Sequence, residues 1–255
     1  LRSGPNPPDG VVVKHDVGVS GGGNAMVDLR DAESGDRADL AARVQCLRPE
    51  DPDLDVEAYL EQLDREGGVV EERIVGEDFC SPSVQLRASP EGGIEVLTTH
   101  DQVLGGQSGQ TYYGCRFPAA PAYAPVIAEH AVAVAGELSR QGVVGRFGVD
   151  FVVTRQAEGW SPHAVEINLR SGGTTHPYLA LLALTNGTYE PASARFLADG
   201  VAKHYVASDH IETERLTKCT VRSPRRLRRA SRPRLQSGAS TPMKTGMRAP
   251  TSRRA

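Results

Sequence analysis

Aromatic side chains are scarce here, at 5% of 255 residues with a single tryptophan, so any core must be built mainly from Val, Leu, Ile and Ala. Cysteines are few and scattered. Cys46, Cys80, Cys115 and Cys219 form no CxxC pair, which argues against a zinc knuckle or a disulfide framework and makes a reducing, cytoplasmic setting the expectation. No apolar run approaches the ~20 residues of a membrane span, and no signal-peptide pattern is present, so no membrane partner is expected. The first residue is Leu rather than Met, which suggests a piece of a longer protein.

One sign of charge is missing from the last stretch. From Thr217 onward there is no Asp or Glu, but there are twelve Lys or Arg. Taking those twelve from the chain's 29 basic residues leaves 17 against 32 acidic side chains, a balance of −15 before Thr217. An acidic body joined to a basic segment reads as two kinds of sequence, residues 1–216 and 217–255. Lysine is almost absent from the body, where only Lys14 and Lys203 occur.

What is present reads as mixed strands and helices. GVVVKHD (10–16) is a short β-branched strand, and VGVSGGGNAM (17–26) is a glycine loop. Residues 36–47 and 54–66 have helical spacing, and 67–79 reads as a strand followed by a polar link. Residues 83–89 and 93–100 flank a Pro-Glu-Gly-Gly turn, a hairpin signal. Residues 123–141 form a long Ala/Val-rich helix. Residues 145–153 and 163–170 are strands joined by a nine-residue polar link, and 177–184 and 191–204 are read as helical. No repeat of fixed period appears. Hairpins imply antiparallel pairing, so the expected class is α+β rather than doubly wound α/β.

Three stretches could carry chemistry. A lysine at the end of a buried strand, followed by three glycines, suits phosphate: backbone N–H groups approach the anion and the ammonium adds a point charge. The P-loop pattern is absent, and a plain surface loop is the alternative. In VVEERIVGEDF (69–79) an apolar strand runs into acids; its edge could meet a nucleotide base and an acid the ribose, or it is a solvated acidic turn. In AVEINLRSGGTTHP (164–177), Glu166 and Asn168 share one strand face because side chains two apart point the same way. If the preceding strand brings Asp150 near Asn168, two carboxylates and an amide form an oxygen-only cluster. Such a cluster suits Mg²⁺, and two buried acids without a cation would repel.

These pieces together resemble the ATP-grasp superfamily. VVVKHDVGVSGGGNAMVDL, THDQVLGG…GQTYYGCRFPA, GVDFVV, EINLRSGGTTHP and TNGTYE are similar to ATP-grasp peptide ligases of the pheganomycin type, and a related domain occurs in a eukaryotic IQ-motif protein. The similarity covers about residues 10–215. It implies an ATP-grasp fold, incomplete at its N-terminus, with ATP and Mg²⁺ (or Mn²⁺ in its place) as cofactors. It implies that Lys14 and the loop Ser20, Gly21, Gly22 and Gly23 contact phosphates. Glu71, Glu72, Arg73 and Ile74 would line the adenine, and Glu77 or Asp78 would hold the ribose. Asp150, Glu166 and Asn168 would bind the cation. Arg116 and Arg170 would meet the transferred phosphate or the substrate carboxylate, and His176 would orient substrate. Relatives often carry an Arg two residues before the first metal acid; here Gly148 stands there, leaving that task to Arg170 or Arg146.

The implied activity is ATP-dependent joining of a small-molecule or peptide carboxylate to an amine through an acylphosphate. The alternative is a non-catalytic nucleotide-binding or scaffold fragment of such a ligase, since the family's N-terminal half would lie upstream of Leu1. The segment 217–255 is expected to be disordered or frame-shifted, because it cannot bury a core. A nucleic-acid or polyanion arm is the remaining reading, and such binding would fall with salt.

Overall fold

The computed structural model describes residues 7–18, 21–32, 36–106 and 109–208. The basic segment 217–255 and its expected disorder lie outside the described residues.

The first sheet explains itself by alternation. Strand β1 (Gly10–His15) lies between β2 (Asn24–Asp28) and β4 (Gly68–Glu72), all antiparallel, with the two-residue β3 (Arg48–Pro49) beyond β2. Val11, Val13, Ala25 and Val27 point to one face and are buried against Tyr59, Leu47 and Leu29. Val12, Lys14, Asn24 and Met26 point to the other. The buried face is covered by α1 (Arg37–Val44) and α2 (Val56–Glu66). Asp36 caps α1 by accepting from the backbone of Ala38 and Asp39, and Asp55 caps α2 by accepting from Ala58. Gly67, at φ 78°, ends α2 in a conformation that disfavours side chains.

The second sheet has six antiparallel strands in the order β13-β7-β6-β5-β8-β9. They are β5 (Pro82–Ala88), β6 (Ile94–Gly105), β7 (Thr111–Phe117), β8 (Gly145–Gln156), β9 (Gly159–Asn168) and β13 (Tyr205–Ser208). Its apolar positions, Val84, Leu86, Phe147, Val149, Phe151 and Val153, pack on α3 (Ala124–Arg140) through Ile127, Ala131 and Ala135. The α+β class and the antiparallel hairpins expected from sequence are both present.

Two expectations are corrected. The polar link 154–162 is mostly strand: β8 and β9 pair as far as Gln156 and Gly159. Polar side chains did not prevent pairing, because Trp160 packs edge-on against Tyr123 and carries the Arg155 guanidinium on its ring. The stretch 191–204 is not helical. It holds β11 (Arg195–Ala198) and β12 (Val201–Ala202), which form a small sheet with β10 (Thr188–Glu190) after helix α4 (Thr175–Thr185). Asp199 and Gly200 both have positive φ, a two-residue hairpin turn, and burial of Ala194, Phe196 and Ala198 follows a period of two.

His100, on β6, is fully buried with Nε2 2.8 Å from the Tyr205 hydroxyl. Burial pushes its pKa down to about 3. A depressed folded-state value means that its contribution to stability is complete above the unfolded value of about 6.5 and is lost as pH falls toward about 3. Chemical denaturation of wild type and His100→Gln at pH 7 and pH 4.5 tests this. We expect the wild type to carry an extra slope of about 1.4 kcal/mol per pH unit that the variant lacks.

Candidate functional site

The polar faces of the two sheets enclose a cleft of about 540 Å³. Hydrogen bonds among the described residues tie its walls together. Lys14 Nζ donates to the Val165 carbonyl on β9 at 3.1 Å, Asn24 Nδ2 donates to Gln110 Oε1 at 2.8 Å, and Thr111 Oγ1 donates to Glu50 Oε1 at 2.7 Å.

The floor is a grid set by strand register. Ser83 lies opposite Asp150, and Asp150 opposite Glu166. One step along, Gln85 lies opposite Gly148 and Gly148 opposite Asn168. Because Val84, Leu86, Phe147 and Val149 take the core face, every residue of this grid takes the cleft face. Asp150 therefore faces Glu166 directly, and Asn168 reaches it diagonally, with Nδ2 3.2 Å from Asp150 Oδ2. Ser83 Oγ donates to Asp150 Oδ1 at 2.6 Å and accepts from Gln85 Nε2 at 3.0 Å. Burial raises the Asp150 carboxyl above its ordinary value; Ser83 opposes that shift, Glu166 adds to it, and Gln102 and Arg170 oppose it.

The phosphate-side expectations meet the structure as follows. Lys14 and Gly21 line the cleft. Gly22 and Gly23 do not; Gly23 is the loop's anchor, its carbonyl accepting from the His15 backbone at 3.0 Å and the Tyr59 hydroxyl at 2.9 Å. Ser20 lies outside the described residues. The run Glu71, Glu72, Arg73 and Ile74 lines the cleft, as do Val75, Gly76 and Phe79. Glu71 has a second task, since its Oε2 is 2.6 Å from Lys14 Nζ.

Glu77 and Asp78 are not among the cleft-lining residues. The Glu77 carbonyl accepts from the Arg155 backbone, and the Asp78 carboxylate is 3.6 Å from Arg155 Nε. Arg170 lines the cleft but Arg116 and Arg146 do not. Arg116 sits opposite Asp101 on β7, and Asp101 is engaged with Tyr123 and the Ala120 backbone on the α3 side. His176 is exposed on the first turn of α4 and does not line the cleft.

Four residues escaped the sequence reading. Ser83, Gln85 and Gln102 look like ordinary polar positions of alternating strands. Thr174 precedes α4, is buried, lines the cleft, and has an Oγ1 without a hydrogen-bond partner. A buried hydroxyl with no partner is unusual, and its residue lines the same cleft as Gly172, Gly173 and Arg170.

Two facing carboxylates and an amide form an oxygen-only donor set suited to a hard divalent cation. The crowding of negative charge at Asp150 is a physical reason for one to bind.

A small sheet with a glycine loop, closing over the acid-bearing face of a larger antiparallel sheet, defines an ATP-grasp domain. The profile of the family described as IQCH-like, ATP-grasp matches residues 54–191, over half of the sequence. The chain belongs to this family. It is also 36% identical over 202 residues to an L-propargylglycine–L-glutamate ligase of Streptantibioticus cattleyicolor, covering 79% of this chain and 39% of that protein. It thus spans about two fifths of the length of that relative. Pyruvate carboxylase of Rhizobium etli shares the fold at TM-score 0.50 and 19% identity, over 72% of this chain and 14% of that one. Among the described residues, no helix is long and apolar enough to cross a membrane.

Proposed function

We propose that this chain carries the nucleotide and cation site of an ATP-dependent carboxylate–amine ligase. The observation that carries the reading is that one cleft is lined by a lysine, an Asp–Glu–Asn oxygen set, an arginine and a threonine whose buried hydroxyl has no partner. The 36% identical relative, a ligase of L-propargylglycine and L-glutamate, supports the same class of reaction.

Lys14 and the Gly21 end of the loop would hold the nucleotide phosphates, and the apolar edge around Ile74 and Val75 the base. Asp150, Glu166 and Asn168 would hold Mg²⁺, with Mn²⁺ as a substitute. The bound cation supplies charge neutralisation to the transferring phosphoryl group. Arg170 and Thr174 would orient the substrate carboxylate, whose oxygen attacks the γ-phosphorus as the bond to ADP breaks. The amine then attacks the acyl carbon, forming the amide and releasing phosphate. Nothing in this sequence needs a covalent protein nucleophile; positioning two anions and neutralising charge is the protein's task. Residues up to about 216 would form this domain, with reaction partners drawn from small amino-acid or peptide acids and amines.

Thr174→Val is the test of the substrate end. Its methyl replaces the hydroxyl at nearly constant volume. We expect acid-dependent ADP formation to fall about tenfold, the value of a charge-assisted hydrogen bond, while nucleotide binding is kept. Nucleotide binding with no ADP formation for any amino acid or dipeptide would instead favour a binding module.

A further inference from the structure

We propose that Ser83 and Gln85 are positioning residues for the cation ligand Asp150, and that position 148 is glycine to leave room for the Gln85 amide. This rests on the cation reading above.

The hydrogen bonds run in one direction. Gln85 Nε2 donates to Ser83 Oγ, which directs the Ser83 hydroxyl hydrogen at Asp150 Oδ1. Asn168 Nδ2 donates to the other oxygen, Oδ2. An aspartate carboxyl turns readily about its last torsion, so a donor on each oxygen fixes its plane. With Gln102 also hydrogen-bonded to it, the carboxylate still keeps a lone pair, and the Asn168 carbonyl oxygen is left to accept. These donors are all neutral. They orient the carboxylate without cancelling the charge that attracts a cation, which a lysine or arginine in the same place would do.

Gly148 is the geometric clue. A Cβ built on it would lie 2.7 Å from Gln85 Nε2 and 3.2 Å from Gln85 Oε1. The clash is with the end of a flexible side chain rather than with backbone. Gly148→Ala should therefore displace the amide and leave the sheet intact.

The experiment is a calorimetric titration of Mg²⁺ into the 255-residue chain with saturating ATP. It compares wild type, Ser83→Ala, Gln85→Ala, Gly148→Ala, the Gln85→Ala/Gly148→Ala double variant and Asp150→Asn. Thermal melting of each variant confirms folding. Residues that orient metal ligands typically change affinity about 10–100-fold. We expect Ser83→Ala within that range and Gln85→Ala and Gly148→Ala each near about tenfold, with melting temperatures close to wild type. Because both act on one amide, the double variant should be no weaker than the weaker single. Wild-type Mg²⁺ affinity in folded Ser83→Ala, Gln85→Ala and Gly148→Ala, with Asp150→Asn strongly impaired, overturns this proposal alone. Absence of Mg²⁺ binding in the wild type, or unchanged binding in Asp150→Asn, overturns the cation reading and this proposal with it.

Discussion

Asp150→Asn is expected to do two opposite things: remove the Mg²⁺-dependent part of nucleotide binding and make the metal-free chain more stable. The loss follows from the donor set. Two carboxylates and an amide become one carboxylate and two amides, so half the formal charge facing the cation disappears. Perturbing groups that merely orient ligands costs about 10–100-fold, so loss of a charged ligand should exceed a hundredfold. The gain follows from the register. Half-buried Asp150 lies directly opposite exposed Glu166, and its carboxyl is pushed up mainly by loss of solvent, with Glu166 adding to the effect. An asparagine keeps the shape, still accepts from Ser83, and carries no charge to repel Glu166; Asn168 can turn its amide to accept from it. The sign follows from the raised folded-state value. Protonated Asp150 costs nothing in acid, and its destabilising effect grows as pH rises through the folded-state pKa. The melting temperature of Asp150→Asn without metal should therefore exceed wild type at neutral pH and converge with it near pH 4. A variant that lost stability at neutral pH would mean that the pair of acids is not under charge stress.

Lys14→Met should lower nucleotide affinity by about 10–100-fold, in keeping with hydrogen bonds from a charged donor worth about 1.5–3 kcal/mol. Methionine keeps the aliphatic stem but not the ammonium. Stability should fall by about 1–3 kcal/mol, because the partly exposed Lys14–Glu71 pair, at 20% and 36%, contributes at most about 1 kcal/mol and the hydrogen bond to the Val165 carbonyl is lost as well. Glu71→Gln separates charge from packing. It removes the anion that competes with phosphate for Lys14, so affinity should hold or rise. Fluorescence titration with a labelled ATP analogue reads both. Equal losses in Lys14→Met and Glu71→Gln would point to the ion pair as a structural tie rather than to Lys14 as a phosphate contact.

Much of this was legible because strand alternation is a local property. Val11 and Val13 against Val12 and Lys14, and Glu166 with Asn168, can be assigned to faces from their spacing alone. The class of fold follows from the hairpins that flank Pro90–Gly93. What was not legible depends on register or on the path of a link. Spacing cannot say that Glu71 neighbours Lys14 across two strands, or that Asp150 faces Glu166 rather than Asn168. It cannot say that the chain after Ile74 carries Glu77 and Asp78 out of the cleft lining and beside Arg155. Ser83 and Gln85 were hidden because a neutral polar residue on alternate strand positions reads as a solvated face. The 191–204 stretch reads as helical because Phe196, Leu197 and Val201 fit a helical spacing, while the structure turns at Asp199-Gly200 between two short strands.

The most direct measurement is calorimetry of ATP binding to the 255-residue chain, with and without Mg²⁺, for wild type and Glu166→Ala. We expect the wild type to bind ATP in a Mg²⁺-dependent way and the variant, folded by circular dichroism, to lose that dependence. Mg²⁺-dependent binding of equal strength in both proteins would contradict the assignment of the Asp150–Glu166–Asn168 grid as the cation site.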